Sequence, residues 1–355
     1  MAVPDERLDQ ALIRLTGSGP EFGEGLSNHG PMAAEALVAL GRGEAVDGWV
    51  DRYLRRLDEA PRGTAPIDDD NWRAALSDLR RVADWTEYLH RQLREEPWQR
   101  VLGRWWQRLL PGMAAAATHG VIRTAHAARG LAQAHSPTRV QELANGLAYW
   151  AARYLEVPGV GRKPGEATAG GQLRPGHALA AVPTLPDPGD GLITDQFARL
   201  GGLSGFPEAV AALRPAAADV DVSLHELTRE FATNYLRNGG AAPIPFIHTV
   251  TAPTAVRSIL SLLPGSLHRP THDALWQVGA AIHAGYAGGG AQAAAGPPPP
   301  RGALPAPDDL TDRAVAVGDE HAIKFIEACL REWHHAGEQV YLRAADLALT
   351  NHFDR

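Results

Sequence analysis

The sequence predicts an all-α fold, and three observations lead to this prediction. Apolar residues recur at helical spacing in many segments, as Leu8, Leu12 and Leu15 do near the start of the chain. Prolines stand where helices would begin, as Pro31 does in PMAAEALVALGR. The alternation typical of strands is scarce, and the best extended candidate is IPFIHTVT at 244–251. We therefore expect one large helical domain over residues 1–355.

The predicted helices follow one another along the chain, separated by turns and two long loops. Their ranges are 4–16, 31–42, 45–57, 71–94, 97–110, 112–133, 137–155, 206–214, 222–237, 254–263, 271–287, 311–335 and 337–350. The acidic run Asp68–Asp70 is a good N-cap region for the fourth helix, and Ser136-Pro137 separates a helical hairpin. Stretches 157–193 and 285–308 are rich in Pro and Gly and predict long loops, either lids or flexible links. For the second stretch a flexible surface loop is the better interpretation.

Composition restricts the class of protein. The chain has 45% hydrophobic and 21% charged residues and a net charge of -7, which is typical of a soluble protein and disfavours nucleic acid or an anionic membrane as partner. No apolar run predicts a membrane span, and MAVPDERLDQALIRL does not look like a signal peptide, so we expect a cytoplasmic location. The single Cys329 excludes an internal disulfide and a CxxC metal site. The oligomeric state stays open.

Histidines on helix faces predict a metal site. In THGVIRTAHAARGL, His119, Arg123 and His126 share one face of a helix that is otherwise small and apolar. His29 and His248 stand where helices are predicted to begin, and helical bundles build metal sites between facing helices. A single histidine of this kind is more often a hydrogen-bonded core residue. Imidazole suits iron, zinc, copper and nickel, and no carboxylate ligand is obvious in these segments.

A lysine in DEHAIKFIEACL raises a further question. The 34 basic residues include only two lysines, Lys163 in a loop-like GRKPG and Lys324 in an apolar helix. Lys324 shares a face with His321, and Val317 and Ala328 continue that stripe, so we expect it to point into the core. Burial lowers the pKa of a lysine, and a neutral amine can add carbon dioxide to become a carbamate, which arginine cannot do. The alternative is a side chain that extends along the helix to solvent, and chemistry alone slightly favours that alternative.

Four stretches together resemble the questin oxidase family, and they are spread over most of the chain. They are GLSNHGPMAAEALVALGR (25–42), THGVIRTAHAARGL (118–131), FIHTVTAP (246–253) and DEHAIKFIEACL (319–330). Fungal members of that family oxidatively open a ring of anthraquinones and related aromatic polyketides, in a reaction long viewed as Baeyer–Villiger-like. The family includes non-haem iron dioxygenases whose iron is held by four histidines and a carboxylated lysine.

The resemblance implies a set of ligands and co-substrates for this chain. It implies Fe(II), dioxygen as co-substrate and carbon dioxide for carboxylation of Lys324. It points to five histidines for four places, namely His29, His119, His126, His248 and His321. His126 is the first to doubt, because it lies two helical turns from His119. The implied substrate is a small aromatic molecule of the polyketide or quinone type.

Several details of the site stay open at this stage. Arg123 is the candidate catalytic residue, holding a phenolate or a peroxide, and a structural ion pair is an equal alternative. Trp276 and Tyr286 could line an aromatic pocket, although core packing is the better interpretation of either. No GxGxxG motif follows a strand, so no flavin or nicotinamide site is evident, and the need for a reductant such as NADPH is undetermined.

Two other functions compete with an oxygenase. One is a helical HD-type metal phosphohydrolase, for which His272-Asp273 supplies the dipeptide. The other is a non-catalytic protein that binds an aromatic polyketide and needs neither iron nor Lys324. Phosphate release without oxygen uptake would favour the first, and retained ligand without metal would favour the second.

Overall fold

Helices form most of the described chain, and the all-α prediction is confirmed. The computed structural model describes residues 6–160, 164–165, 171–187, 191–288 and 304–353. Within these ranges the one sheet is an antiparallel hairpin of β1 (Glu21–Phe22) and β2 (Leu26–Ser27). No helix in the same ranges is long and apolar enough to cross a bilayer.

Sixteen α-helices lie in the described residues. They are α1 (Glu6–Leu15), α2 (Gly30–Ala39), α3 (Val46–Tyr53), α4 (Val82–Glu95), α5 (Trp98–Leu109), α6 (His119–Gln133), α7 (Pro137–Ala152), α8 (Pro175–Ala180), α9 (Ile193–Arg199), α10 (Phe206–Ala211), α11 (Val220–Asn238), α12 (Pro243–Arg257), α13 (His268–Tyr286), α14 (Pro307–Val317), α15 (Glu320–Ala336) and α16 (Gln339–Ala348). Much of the first predicted loop is described and contains α8 and the start of α9. Lys163 and residues 289–303 of the second loop lie outside the described residues.

The prediction of an extended segment at 244–251 is wrong, because that segment is part of α12. Pro243 occupies the first turn, where its missing N–H costs no helical hydrogen bond. The hydroxyls of Thr249 and Thr251 donate to the carbonyls of residues 246 and 247, at 2.7 and 3.1 Å. Burial of the segment on nearly all sides outweighs the strand preference of its branched residues. His248 therefore lies within a helix and not ahead of one.

The single helix predicted at 311–335 is two helices, α14 and α15. Gly318 ends α14 with a φ of 71°, a backbone conformation that favours glycine. Asp319 then caps α15, accepting hydrogen bonds from the backbone N–H groups of His321 and Ala322. The break places His321 in the first turn of α15 and leaves Lys324 one turn further along.

Two other helices start later than predicted. The range 71–94 begins with two short 3₁₀ turns, Trp72–Ala75 and Leu79–Arg81, and α4 starts only at Val82. The range 112–133 begins with a left-handed turn, and α6 starts at His119. In both cases the apolar spacing continues across a turn, so periodicity alone does not show the boundary.

Four helices form a closed ring at the centre of the packing. Helix α2 packs against α6 and α15, and α12 packs against the same two helices. Each of the four helices carries one of the predicted histidine ligands at or near the point where they converge, and α15 carries Lys324 as well. Gly120 lets α6 lie close to α7, because a Cβ there would be 2.8 Å from the Cα of Trp150.

Candidate metal centre

Four histidine rings form a closed cycle in the same order as their helices. The ring centroids are 4.6 Å apart for His29 and His119, 4.5 Å for His119 and His248, 6.1 Å for His248 and His321, and 4.5 Å for His321 and His29. The Nε2 atoms of His29 and His119 are 2.7 Å apart. Four imidazoles from four helices therefore meet in one place, as four of the predicted ligands require.

The chain segment before α2 positions His29. The Asn28 amide donates to Ser18 and to the carbonyl of Gly19, and its oxygen accepts from the N–H of Gly30. His29 is the N-cap residue of α2, and its backbone N–H donates to the Tyr53 hydroxyl at 2.8 Å. The imidazole is thus held by the helix end and not by a flexible loop.

A left-handed turn positions His119. Three successive residues that are not glycine, Ala116, Ala117 and Thr118, have positive φ values of 47°, 55° and 77°. Each such residue costs on the order of 1–2 kcal/mol, and strain of this kind is concentrated at functional sites. The turn brings the carbonyl of Ala116 to 2.5 Å from Nδ1 of His119. A carbonyl only accepts, so His119 carries its proton on Nδ1 and presents the lone pair of Nε2 to the other histidines.

An aspartate orients His321. Besides capping α15, Asp319 has an oxygen 3.5 Å from Nδ1 of His321. Burial acts to raise the pKa of Asp319, but the hydrogen bonds and charge of His321 hold that pKa below its ordinary value. A carboxylate on one ring nitrogen of a histidine directs the other nitrogen toward a metal. Asp319 and His321 thus resemble the carboxylate–histidine part of a carboxylate–histidine–metal unit.

Several buried polar atoms at the site have no hydrogen-bond partner among the described residues. They are Nδ1 of His29, both ring nitrogens of His248 and Nζ of Lys324. Buried polar groups are normally paired, because an unpaired one costs about 1–3 kcal/mol. One nitrogen of His248 and Nζ of Lys324 are therefore available to a shared partner, whereas the unpaired Nδ1 of His29 is on the opposite side of its ring from Nε2, which faces His119. A cation would accept electron pairs from the histidines without needing their protons.

Three of the four histidines are held in the neutral form that binds metal. Burial, followed by the charge of Lys324, lowers the pKa of His29 and of His119 well below the ordinary value. For His248 the causes are burial, then His119, then Lys324. Burial also lowers the pKa of Lys324 to about 7, against the opposing charges of Glu320 and Asp319. Lys324 is 1% exposed, so the alternative of a side chain reaching solvent is wrong.

The spacing of the donor atoms fits a metal ion. Ligand atoms of His29, His119 and His321 all lie within 4.8 Å of one another, the only such group of three or more in the described part of the chain. Two nitrogens at right angles on one ion, with bonds of ~2.1 Å, would be roughly 3 Å apart. The 2.7 Å between Nε2 of His29 and of His119 is close to that separation. These three histidines could hold a metal ion, and His248 adjoins them.

A cavity of about 750 Å³ opens onto the histidines. All four rings line it, and most of its other walls are apolar. Leu26 and Leu192, also among its lining residues, are 48% and 39% exposed, which makes them two of the few exposed large apolar side chains. Tyr286 lines the cavity, against the core-packing interpretation preferred for it, whereas Trp276 is fully buried, as that interpretation predicts, and donates to a backbone carbonyl. The remaining lining residues are Glu21, Gly25, Ser27, Ser77, Ala116, Ala117, Arg153, Tyr154, Leu155, Gly191, Ile193, Thr194, Ala241, Ala242, Ile244 and Pro245.

The structure does not bring His126 to the metal site, so its prediction as a ligand is corrected. Nδ1 of His126 bonds Glu35 at 2.7 Å, and Arg129 bonds the same carboxylate through Nε at 2.7 Å. Arg129 also donates to Glu327 at 3.0 Å, and Glu327 accepts from Arg331 at 2.6 Å. This buried charge network connects α2, α6 and α15, the three helices that carry His29, His119 and His321. The seven-residue spacing from His119 places His126 in it, two turns from the cluster.

Arg123 does not face the cavity either, so its predicted contact with substrate is corrected. Its guanidinium makes two hydrogen bonds with Glu142, at 2.6 and 2.9 Å, and both side chains are buried. Arg123 is not among the cavity's lining residues. The alternative of a structural ion pair describes its position.

Sequence reasoning missed the charged residues that support the site. Asp319 could have been found as an N-cap ahead of a helix. Glu35 and Glu327 lie in apolar helical stretches, where a carboxylate needs a buried partner just as Lys324 does. Neither His272 nor Asp273 belongs to the histidine group. They contact one another, at 3.3 Å.

Comparison with models of protein families and with curated proteins finds no match to this chain. The resemblance to the questin oxidase family therefore depends on the four stretches quoted above and stays a prediction. The all-α fold and the three-histidine group agree with what it implies.

Proposed function

We propose that this protein is a non-haem iron oxygenase that opens a ring of an aromatic substrate of the polyketide or quinone type. One observation carries the proposal: four imidazoles, two of them with unpaired buried nitrogens, meet near a buried, unpaired lysine and line a large, mostly apolar cavity. The family resemblance gives the same assignment from different information.

The proposed ligands are His29, His119, His248, His321 and Lys324. Lys324 would bind as a carbamate, formed when its neutral amine adds carbon dioxide and releases one proton. Three helices begin at this point, with His29 capping α2, His119 opening α6 and His321 in the first turn of α15. The positive ends of their dipoles favour a negative group here, which supports a carbamate over an ammonium ion.

The number of donors favours iron over zinc. Four imidazoles and a carbamate make five donors, whereas protein zinc sites are mostly four-coordinate. Imidazole and carboxylate donors together are common ligands of non-haem iron. When bound, ferrous iron would supply the electron transfer that lets an electron-rich ring react with dioxygen and lose a carbon–carbon bond.

The chain's own residues would bind and orient the ring and exclude water from it. Leu155, Ile244 and Pro245 give the cavity flat apolar surface next to the histidines, and Tyr286 adds an aromatic face. The hydrogen bond of His119 to Ala116 would keep a proton on Nδ1 of that ring, and the carboxylate of Asp319, 3.5 Å from Nδ1 of His321, would favour a proton on that nitrogen as well. Both rings then keep Nε2 directed at the centre throughout turnover.

Metal analysis tests the proposal most directly. Protein purified without oxygen and with bicarbonate is analysed for metals, beside Lys324→Ala and Lys324→Arg. Lys163, the other lysine of the chain, supplies matched controls as Lys163→Ala and Lys163→Arg. We expect about one iron per chain in wild type and in both Lys163 variants, and much less in both Lys324 variants. Carbon-13 bicarbonate should give a carbamate resonance in the zinc-loaded wild type that is missing from Lys324→Arg.

Other outcomes assign other functions. Wild type without iron, or iron that is unaffected by loss of Lys324, would overturn the proposed centre. A retained aromatic ligand without any metal would indicate a binding protein. Phosphate release from nucleotides, without oxygen uptake, would indicate the phosphohydrolase alternative. With iron present, oxygen uptake in a screen of phenolic and quinone compounds is the expected activity.

A further inference from the structure

Among the described residues that line the cavity, Asp, Glu, Lys and Arg are represented by Glu21 and Arg153. Arg153 donates from Nε to one oxygen of Glu21 at 2.8 Å and from Nη2 to the other at 2.5 Å. The Tyr149 hydroxyl donates to Glu21 at 2.8 Å and lies 2.6 Å from the hydroxyl of Ser27. These four side chains form one connected group, in which Glu21, Ser27 and Arg153 line the cavity and Tyr149 lies buried behind them.

Glu21 and Arg153 differ in their exposure to solvent. The Glu21 side chain is 9% exposed and the Arg153 side chain is 39% exposed. Glu21 already accepts three hydrogen bonds, so its carboxylate is neutralised and turned away from solvent. Arg153 uses only the Nε–Nη2 edge of its guanidinium. Within the described residues Nη1 makes no hydrogen bond, so the Nη1–Nη2 edge is left for another acceptor.

The free edge of Arg153 has the shape of an anion site. A guanidinium binds a carboxylate through two parallel N–H groups, and one arginine can bind two carboxylates on its two edges. Glu21 holds the plane of the guanidinium, so little side-chain freedom is lost when a second acceptor binds. The apolar walls nearby, including Leu155 and Ile193, reduce the screening of that contact by water.

The anion site and the histidines line the same cavity. Ser27, which bonds Tyr149, is two residues before His29, so their Cα atoms are at most ~7 Å apart. Because Arg153 and the four histidines line one cavity of about 750 Å³, a single molecule there can contact Arg153 with one end and the histidines with the other. The apolar walls between would cover its rings.

We propose that Arg153, held from behind by Glu21, binds a carboxylate on the substrate and selects acidic aromatic compounds over neutral ones. The role of Arg153 in choosing a substrate rests on the proposed function, but binding of an anion in the cavity does not depend on iron. Arg153 is a specificity residue, and the acceptor is an anionic carboxylate on an otherwise apolar ring system.

Binding of a matched pair of probes tests the proposal. The probes are anthracenecarboxylate and its uncharged, nearly isosteric carboxamide, titrated by fluorescence. The variants are Arg153→Gln and the double variant Glu21→Gln/Arg153→Gln, in which no buried carboxylate loses its partner. Arg80→Gln is the control, because Arg80 is 86% exposed and pairs with Asp78 away from the cavity. The iron content of every preparation is measured alongside.

We expect wild type and the Arg80 variant to bind the carboxylate more tightly than the carboxamide. Both Arg153 variants should lose about ten-fold or more in affinity for the carboxylate, with affinity for the carboxamide changed less than about two-fold. The proposal would be overturned if all four proteins bound the carboxylate with equal affinity. It would also be overturned if the Arg153 variants lost affinity for the carboxylate and for the carboxamide to the same extent. Selective loss of carboxylate binding in protein that holds no iron would keep the anion site and refute the oxygenase instead.

Discussion

Replacement of Arg129 by methionine should strongly destabilise the protein. Arg129 is buried and contacts Glu35 and Glu327, which are buried as well. Methionine fills similar volume without charge, so both carboxylates lose their main partner, and only the partly exposed Arg331 still contacts Glu327. Removing one member of a buried ion pair costs about 3–5 kcal/mol, because the remaining charge stays uncompensated.

That free energy corresponds to a measurable change in melting temperature. At about 2.1 cal/mol/K per residue, a chain of 355 residues has an unfolding entropy of about 0.75 kcal/mol/K. The expected decrease in Tm for Arg129→Met is therefore about 4–7 °C, measured by circular dichroism. The network joins α2, α6 and α15, so the variant should also bind metal more weakly at His29, His119 and His321.

Two further variants separate charge from packing. The triple variant Glu35→Gln/Arg129→Met/Glu327→Gln leaves only the partly exposed Arg331 without its carboxylate, where solvent compensates the charge, and should recover at least half of the lost Tm. Arg80→Met, which breaks an exposed pair, should change the free energy of unfolding by about 0.5 kcal/mol or less. The reasoning is wrong if Arg129→Met melts within about one degree of wild type, or if the triple variant is as unstable as the single one.

Two more predictions concern the histidines directly. Asp319→Ser keeps an N-cap for α15 but removes the carboxylate beside His321. Tm should therefore change little, while metal affinity, measured by competition with a chelator, should fall about 10–100-fold. Unchanged metal affinity would show that the contact between Asp319 and His321 has no role in metal binding. Gly120→Ala places a Cβ 2.8 Å from the Cα of Trp150 and should destabilise the protein by about 1–3 kcal/mol in urea unfolding. In Gly130→Ala, on the same helix, the added Cβ would be 3.5 Å from its nearest atom, so the free energy of unfolding should be unchanged or slightly higher. Equal effects of the two substitutions on stability would contradict the argument that α6 and α7 approach closely at Gly120.

Local patterns predicted the parts of the site that depend on one helix at a time. Pro31 indicated where α2 begins, and the structure has His29 as its N-cap residue. The apolar neighbours of Lys324 indicated that it points inward, and it is 1% exposed. Both inferences use only residues within a turn or two of each other, where side-chain direction follows from helix geometry.

The errors arose where a local pattern had two readings. Branched residues at 244–251 favoured a strand, but burial within α12 made them helical. Apolar spacing ran on across Gly318 and across the turn at Ala116, so two helices were drawn too long. His126 shares a helix face with His119, and spacing could not tell that Glu35, from another helix, would bind it.

The sequence was sufficient for the all-α class, for the inward direction of Lys324 and for a pool of histidines that contained the cluster. Those features follow from side-chain periodicity and capping, which act over a few residues. Which histidines meet, and which charges accompany them, depended on how α2, α6, α12 and α15 pack into a ring. Contacts between residues such as His29 and His321, nearly 300 positions apart, are set by the packing of the whole core, and no short-range pattern in the chain records them.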